Sequence, residues 1–268
     1  RHYRDRRIQV RRPISMHPAS SLRILTARPG VCRSGLQFGI YELVKVLWIA
    51  QRGLDPNALI GDIANLVMMQ DDAYTPPSPF VRLADSACSQ DTQFLVYDAS
   101  KWEPVGGAKR GCMTPRPDRS YTVQRFRQLS TGAHVVVAGG HFPHTYTTFP
   151  IRNPQYAAGC KQLGGDINAL VASPEDVVVL IADTNADKST YSSAALMQLL
   201  GLTVDTDQLQ STALLESCCL DTPPGFVFTF DRVIASTGAG MDTKMLFDPA
   251  PAWAVGEFHK AIVGRLSF

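Results

Sequence analysis

With 268 residues, 45% of them apolar and 19% charged, the chain can bury a sizeable core, which excludes disorder over most of its length. Its longest apolar runs, such as Val135 to Ala138 and Val177 to Ala182, fall far short of the roughly 18 residues of a membrane span, so no integral membrane segment is expected. The net charge of +2 argues for no polyanion by itself, but Arg1, Arg4, Arg6, Arg7, Arg11 and Arg12 make a basic arm of residues 1–20, read either as a solvated tail or as an arm for polyanions.

Leu22 to Thr26 reads as a short buried strand, with Pro29 and Gly30 marking a turn. From Leu36 to Gln51, apolar residues at Leu36, Ile40, Leu43, Val44, Leu47 and Trp48 follow the spacing of a helix that buries one face. Asp55-Pro56 looks like an N-cap and first helical position, opening a second helix toward Ile63, and Asn65 to Met69 reads as a buried strand. Asp72 to Ser89 and Gly106 to Arg119, rich in Pro, Gly and Arg, are expected as surface loops on either side of a strand at Gln93 to Tyr97.

Thr122 to Leu129 and Ala133 to Gly139, separated by a Ser-Thr-Gly turn, predict a hairpin. Asn153 to Ala172 is helical after Pro154, Val177 to Ala182 is a fully buried strand, and Phe226 to Ala235 and Ala261 to Phe268 read as two more strands. Strands in runs, with helices inserted between some of them, predict an α+β or α/β sandwich with two sheets face to face and helices outside, in one domain over 21–268. The central hairpin requires antiparallel neighbours, so the sheets are expected to be mostly antiparallel.

The six cysteines, Cys32, Cys88, Cys112, Cys160, Cys218 and Cys219, have no C-x-x-C spacing and do not suggest zinc. In a secreted protein they pair as disulfides, and adjacent Cys218 and Cys219 are expected to take different partners. The expected location is secreted or lumenal, with an intracellular one as the alternative. The chain starts on Arg and shows no apolar signal stretch, so a targeting peptide is expected to be absent or removed.

Polar groups recur where apolar strands end: Asp71 after LVMMQ, His141 after VVVAGG, Asp183 and Asn185 after VVVLIA, Asp231 within VFTFDRVIAS, and His259 before AIVGRL. Each alone is explained by strand capping. Together they form a set that could converge on one rim. In order, LRILTAR, DIANLVMMQD, QFLVYDASKW, HVVVAGGHFPH, VVVLIADTNAD, FTFDRVIAS and GEFHKAIVGRL resemble the conserved strands and loops of the endonuclease/exonuclease/phosphatase superfamily, over Leu22 to Phe268, with Asp231-Arg232 closest to its deoxyribonuclease I branch.

The resemblance implies an α+β fold, a four-layer α/β/β/α sandwich, and metal-dependent phosphodiester hydrolysis by a DNase I-like nuclease. It places the metal-binding carboxylate at Asp71, a catalytic histidine at His141, the loop carboxylate and amide at Asp183 and Asn185, and a second acid/base pair at Asp231 and His259. Asp91 is the implied orienting partner of His141. A hard divalent cation held by carboxylates polarises a phosphoryl oxygen, Mg²⁺ being expected and Ca²⁺ or Mn²⁺ the alternatives. The substrate is expected to be nucleic acid or another phosphodiester.

Two positions depart from the family pattern. Arg28 stands for an asparagine, where it would repel a metal and attract substrate phosphate, and Phe258 stands for an aspartate, with Glu257 a candidate replacement metal ligand. These departures keep alive a catalytically impaired binding module of the same fold. The other alternative is a phospholipid, inositol-phosphate or sphingomyelin phosphohydrolase. His144, Arg110, Arg116 and Arg119 are read as either phosphate contacts or solvated loop residues.

Overall fold

The computed structural model describes residues 35–42, 62–68, 75–83, 86–88, 92–113, 119–148, 151–250, 252, 254 and 258–267. The chain divides into two units, Arg1–Cys32 and Arg33–Phe268, and every described residue belongs to the second. The arm boundary at residue 20, the strand at Leu22 to Thr26 and the helix opening at Asp55-Pro56 lie outside the described residues. No helix among the described residues is long and apolar enough to cross a membrane.

In chain order the strands are β1 (Gly35–Glu42), β2 (Ile63–Met68), β3 (Phe80–Arg82), β4 (Ser86–Ala87), β5 (Thr92–Asp98), β6 (Trp102–Cys112), β7 (Ser120–Gln128), β8 (His134–His141), β9 (Tyr146–Thr148) and β10 (Ile151–Arg152). Helix α1 (Pro154–Asn168), β11 (Val177–Asp183), α2 (Ser193–Leu200), β12 (Gln210–Ser211), β13 (Asp231–Ala235), β14 (Gly240–Met245) and β15 (Ile262–Ser267) follow. One sheet runs β14-β15-β1-β2-β5-β3, with β4 also on β5, and the other runs β12-β13-β11-β8-β7-β6. All pairings in them are antiparallel except β1 with β2 and β8 with β11. The architecture is the expected α+β sandwich of two mostly antiparallel sheets.

Strand alternation sorts the side chains between layers. Along β11, Val177, Val179 and Ile181 join the cluster between the sheets with Val135 and Val137 of β8, Val233 and Ala235 of β13, and Ile63, Leu95 and Tyr97 of the facing sheet. The intervening Val178, Leu180 and Ala182 face the helices with Val136, Ala138 and Ile234. Being covered on both faces makes β11 apolar throughout, as its uninterrupted VVVLIA reads.

Helix α1 opens with Asn153, whose side chain accepts from the Gln155 amide, and with Pro154 in the first turn; it buries Tyr156, Cys160, Leu163 and Ile167 against β11 and its neighbours. Helix α2 is capped by Ser192 and ends at Gly201 in the left-handed region (φ 63°).

The sequence expectations fail where local signals compete with pairing. Residues 35–42 form strand β1 and not the first turns of a helix, and 43–51 lie outside the described residues. Leu36 and Ile40 fit a period of two through Phe38 as well as a helical spacing, and β1 finds backbone partners on both edges, β15 and β2. Residues 106–112 of the expected loop at Gly106 to Arg119 belong to strand β6, whose pairing with β7 shifts register between Val105 and Lys109, around Gly106 (φ 73°), and 114–118 lie outside the described residues. Short β3 and β4 cross the expected loop at Asp72 to Ser89, and the strand expected from Phe226 starts only at Asp231. Helix α2 and strand β14 went unread.

The two sheets approach each other closely at Gly139. A Cβ there would lie 2.6 Å from Gln93 Nε2, 2.6 Å from Leu95 Cδ2 and 2.7 Å from Asn65 Oδ1, all on the opposite sheet. Gln93 donates to Asn65 Oδ1 (2.5 Å), and Asn65 donates to the Gly140 carbonyl (3.1 Å), so a buried amide pair bridges the layers one residue before His141. Gly139→Ala is therefore expected to destabilise the fold by about 1–3 kcal/mol, the usual cost of overpacking. Urea denaturation checks this; an unchanged midpoint would show that the sheets separate freely here.

Candidate active site

Three of the expected site residues fall side by side because of strand register. His141 ends β8 opposite Asp183, which ends β11, and Asp183 is opposite Asp231 at the start of β13. Each continues the inward-facing alternation of its strand, so all three stand at the rim of the space between the sheets. His259 reaches the same place from the segment leading into β15 of the other sheet. All four side chains are buried.

His259 Nδ1 lies 2.9 Å from Asp231 Oδ2 and 4.0 Å from Asp183 Oδ2, and His141 Nε2 lies 3.5 Å from the same Asp183 oxygen. Two imidazoles thus flank one carboxylate. Their hydrogen bonds call for opposite tautomers. Asp231, an acceptor, takes the Nδ1–H of His259, which leaves Nε2 as the acceptor nitrogen. Arg119 Nη1, able only to donate, lies 3.3 Å from Nδ1 of His141, which places that ring's proton on Nε2.

Arg119, weighed in the sequence as a loop cation, is buried against His141. Asp91, the expected orienting partner, lies outside the described residues.

The loop after β11 is held in one shape. The Asn185 backbone, at φ 45°, donates to Asp183 Oδ1 (3.0 Å), and its side-chain amide donates to the Phe142 carbonyl (2.8 Å). Asp187 accepts from the backbone and hydroxyl of both Thr229 (3.1 and 3.1 Å) and Ser189 (3.1 and 2.6 Å), tying the loop to the chain that enters β13. Burial raises the Asp187 pKa, but those hydrogen bonds outweigh it and bring it from 3.8 down to about 2.

A carboxyl depressed in the folded state stabilises above its unfolded pKa and loses that contribution as pH falls through the folded value. The protein should lose stability between about pH 4 and about pH 2, and Asp187→Asn should lose less over that window. Urea melts of both proteins at each pH check this; parallel pH dependences would show that Asp187 is not coupled to folding.

Asp71, Glu257 and Arg28 lie outside the described residues. Among the described residues, Asp183, Asp231 and His259 present ligand atoms within 4.8 Å of one another. Two buried carboxylates turned toward one point are a donor set that fits a hard divalent cation.

Phe258 is buried, with edge-on contacts to Phe226 (6.4 Å) and Phe247 (6.2 Å). It is a packing residue, and an aspartate there would sit between the rings of Phe226 and Phe247. Residues Phe228 and Phe230 stack at 4.9 Å, and the exposed His144 meets Phe230 edge-on at 6.4 Å. This aromatic surface immediately precedes Asp231 in the chain.

The sequence reading also missed the cysteines beside His259. Cys218 and Cys219 are paired with each other and not with different partners, because the bridge between Cys218 and Phe228 and the contacts of 217–220 with 258–260 fix both residues beside the histidine. Cys88 pairs with Cys112.

No protein-family model and no curated protein sequence matches the chain. Solved structures do. An endonuclease/exonuclease/phosphatase family protein of Bacteroides thetaiotaomicron superposes with a TM-score of 0.59 at 14% identity, covering 88% of this chain and 96% of that one. The mannosyl-6-phosphatase Bt3783 of the same organism gives 0.57 at 12% identity over 87% and 100%. TDP2 of D. rerio, complexed with single-strand DNA product, gives 0.56 at 11% identity over 87% and 98%.

Proposed function

Since the chain has the fold of the endonuclease/exonuclease/phosphatase proteins, we propose that it is a hydrolase of phosphate esters, and most specifically a divalent-cation-dependent nuclease acting on phosphodiester bonds. The observation that carries this reading is the row His141, Asp183 and Asp231 in register across three strands, completed by His259 against Asp231. A phosphodiester hydrolase must take a proton from water and give one to the leaving oxygen. The opposite tautomers divide these tasks: His259 Nε2 accepts from water, with Asp231 stabilising the imidazolium that forms, and His141 Nε2–H donates.

Asp183 stands between the two rings, and the Asn185 loop fixes its orientation. When bound, the cation supplies charge neutralisation at the phosphoryl oxygens, and Asp183 and Asp231, together with Asp71 and Glu257 from the sequence, are the residues to hold it. Mg²⁺ suits this oxygen-rich set, with Ca²⁺ or Mn²⁺ as alternatives.

Nucleic acid is favoured as substrate by the half-buried rings of Phe228 and Phe230 and the exposed His144, since accessible ring faces beside a phosphate-handling site offer stacking to bases. The single-strand DNA bound to the D. rerio protein agrees with this choice. Arg28 is assigned to substrate phosphate. The Cys88 to Cys112 pairing supports a secreted or lumenal location.

Hydrolysis of single-stranded oligonucleotide, plasmid DNA, bis-p-nitrophenyl phosphate and p-nitrophenyl phosphate, with Mg²⁺, Mn²⁺ or Ca²⁺ or with EDTA, tests the reading. Cleavage of the nucleic acids and the diester, abolished by EDTA, is expected. Full activity in metal-free protein overturns the cation dependence, and cleavage of the monoester alone overturns the nuclease. Binding of oligonucleotide without turnover is the result expected of an impaired binding module, a reading that the burial of Phe258 among rings supports.

A further inference from the structure

The cysteine pair adjoins the very nitrogen that the hydrolytic reading uses. Cys219 Sγ lies 3.7 Å from His259 Nε2, and the ligand atoms of Cys218, Cys219 and His259 all fall within 4.8 Å of one another. The backbone holds them there from two sides. The Lys260 amide donates to the Ser217 carbonyl (2.8 Å) and the Leu220 amide to the Phe258 carbonyl (3.3 Å), so 217–220 runs beside 258–260. Cys218 exchanges backbone hydrogen bonds with Phe228 (3.1 and 2.8 Å), and the Cys219 carbonyl accepts from the Phe226 amide (2.9 Å).

We propose that Cys218, Cys219 and His259 form a thiol-dependent binding site for a thiophilic divalent cation, with zinc as its natural class, that closes over His259 Nε2. In a tetrahedral zinc site a sulfur and a nitrogen ligand are separated by about 3.6 Å, given bond lengths of about 2.3 and 2.0–2.1 Å. The observed 3.7 Å is that edge, formed before any ion arrives. Asp231 completes the arrangement: a metal-ligating histidine commonly gives its other N–H to a carboxylate, which fixes the tautomer and raises the basicity of the ligating nitrogen, and His259 Nδ1 does so at 2.9 Å. Cys218 is buried and Cys219 half-buried, so the soft ligands lie partly shielded from water.

Sulfur ligands distinguish this site from the oxygen donors that suit Mg²⁺.

In the structure the two sulfurs are joined. A two-electron reductant breaks the Sγ–Sγ bond: a dithiol gives its two hydrogens to the sulfurs and becomes a disulfide, whereas a phosphine takes the oxygen of one water molecule, becomes the phosphine oxide and leaves that water's two protons on the sulfurs. Zinc then displaces both thiol protons and takes up the Nε2 lone pair. Zinc at this position removes His259 from proton transfer, a consequence that rests on the hydrolytic reading, whereas the binding site rests on its own geometry. Nuclease activity would thus be withheld while the reduced thiols hold zinc, and released when a disulfide-class oxidant takes two electrons from the thiolates, is itself reduced to two thiols with protons from water, and so rejoins Sγ–Sγ and frees the zinc.

The test is titration of the full chain, stripped of metal, with zinc or cobalt before and after reduction by a phosphine. One additional equivalent per chain is expected only after reduction, with a thiolate-to-cobalt charge-transfer band in the near ultraviolet. Cys219→Ser, chosen because that residue is only half-buried, and the Cys218→Ser/Cys219→Ser double variant should lose both signals. Burial keeps Cys160 out of competition, and Cys88 and Cys112, which the phosphine also frees, are both present in the double variant, which therefore controls for any uptake of their own. Equal uptake by oxidised and reduced protein, or an unchanged band in Cys219→Ser, overturns the site.

With saturating Mg²⁺, zinc should lower hydrolysis by the reduced parent about 100-fold, the scale of losing a positioned base, and leave the double variant unaffected. Equal inhibition of both proteins overturns the regulatory role. Thiol-dependent zinc uptake in a chain that hydrolyses nothing supports the site and counts against the hydrolase.

Discussion

Replacing His259 with alanine is expected to lower kcat by about 100-fold or more and to leave the fold intact, the loss that follows removal of a positioned acid or base. His259 lies in the segment before β15 and takes no part in the backbone ladder, so the ring can be removed without breaking sheet pairing. Its contact with Asp231 at 2.9 Å makes the two residues one unit, and Asp231→Asn should give a loss of the same order. An asparagine there keeps the shape but does not supply the charge that stabilises an imidazolium.

His141→Ala should likewise lower kcat, and the His141→Ala/His259→Ala double variant should be little worse than the more impaired single one if the rings serve one concerted proton relay. Steady-state kinetics on bis-p-nitrophenyl phosphate, with circular dichroism as the control for folding, decide the matter. A wild-type kcat in a folded His259→Ala protein would make the histidine structural and remove the base from the proposed reaction.

The rim residues were legible because they sit at the ends of apolar runs whose length and composition declare them strands. VVVAGG before His141 and VVVLIA before Asp183 predict both strand and terminus, and the parallel pairing of β8 with β11 then sets the two residues opposite each other. The neighbour of His141 was not legible in this way. Arg119 lies in a Pro- and Gly-rich stretch that carries the composition of a loop, and no periodicity marks it as buried. Likewise the adjacency of Cys219 to His259 depends on how 217–220 crosses 258–260, a contact some 40 residues apart in sequence that no local pattern encodes.

The misread β1 has a related cause. Leu36, Phe38 and Ile40 satisfy two periods at once, and only the availability of β2 and β15 on its edges decides between them.

Substitution of Arg232 should cost the fold several hydrogen bonds at once. Arg232 is fully buried, and it stands on β13 between Asp231 and Val233, on the face turned to the helices where Ile234 also packs. Its guanidinium donates to three backbone carbonyls: Thr229 through Nε (3.1 Å), Tyr191 through Nη1 (2.8 Å) and Ala186 through Nη2. Burial pulls its pKa below the ordinary value, opposed by the charges of Tyr156, Asp187 and Asp231.

The Asp231-Arg232 dipeptide therefore has two separate physical tasks. Asp231 faces His259, and Arg232, pointing the other way, pins the loop that follows Asn185 from behind. Arg232→Met preserves most of the volume but leaves three carbonyls without their donor, at about 1–3 kcal/mol for each buried group that finds no substitute. A net loss of about 3 kcal/mol or more is expected in urea denaturation, the sum for three such groups. Lysine, with a single charged terminus, should recover part of it, since it reaches fewer of the three acceptors at once.

The loop held by Arg232 carries Asn185 and Asp187, so kcat measured well below the melting transition should fall in Arg232→Met and recover partly in Arg232→Lys. Unchanged stability would mean that water or other donors satisfy these carbonyls as well as the guanidinium does. Lost stability with an unchanged kcat would confine Arg232 to the scaffold and leave the Asn185 loop held by its other contacts, among them those of Asn185 with Phe142 and of Asp187 with Thr229.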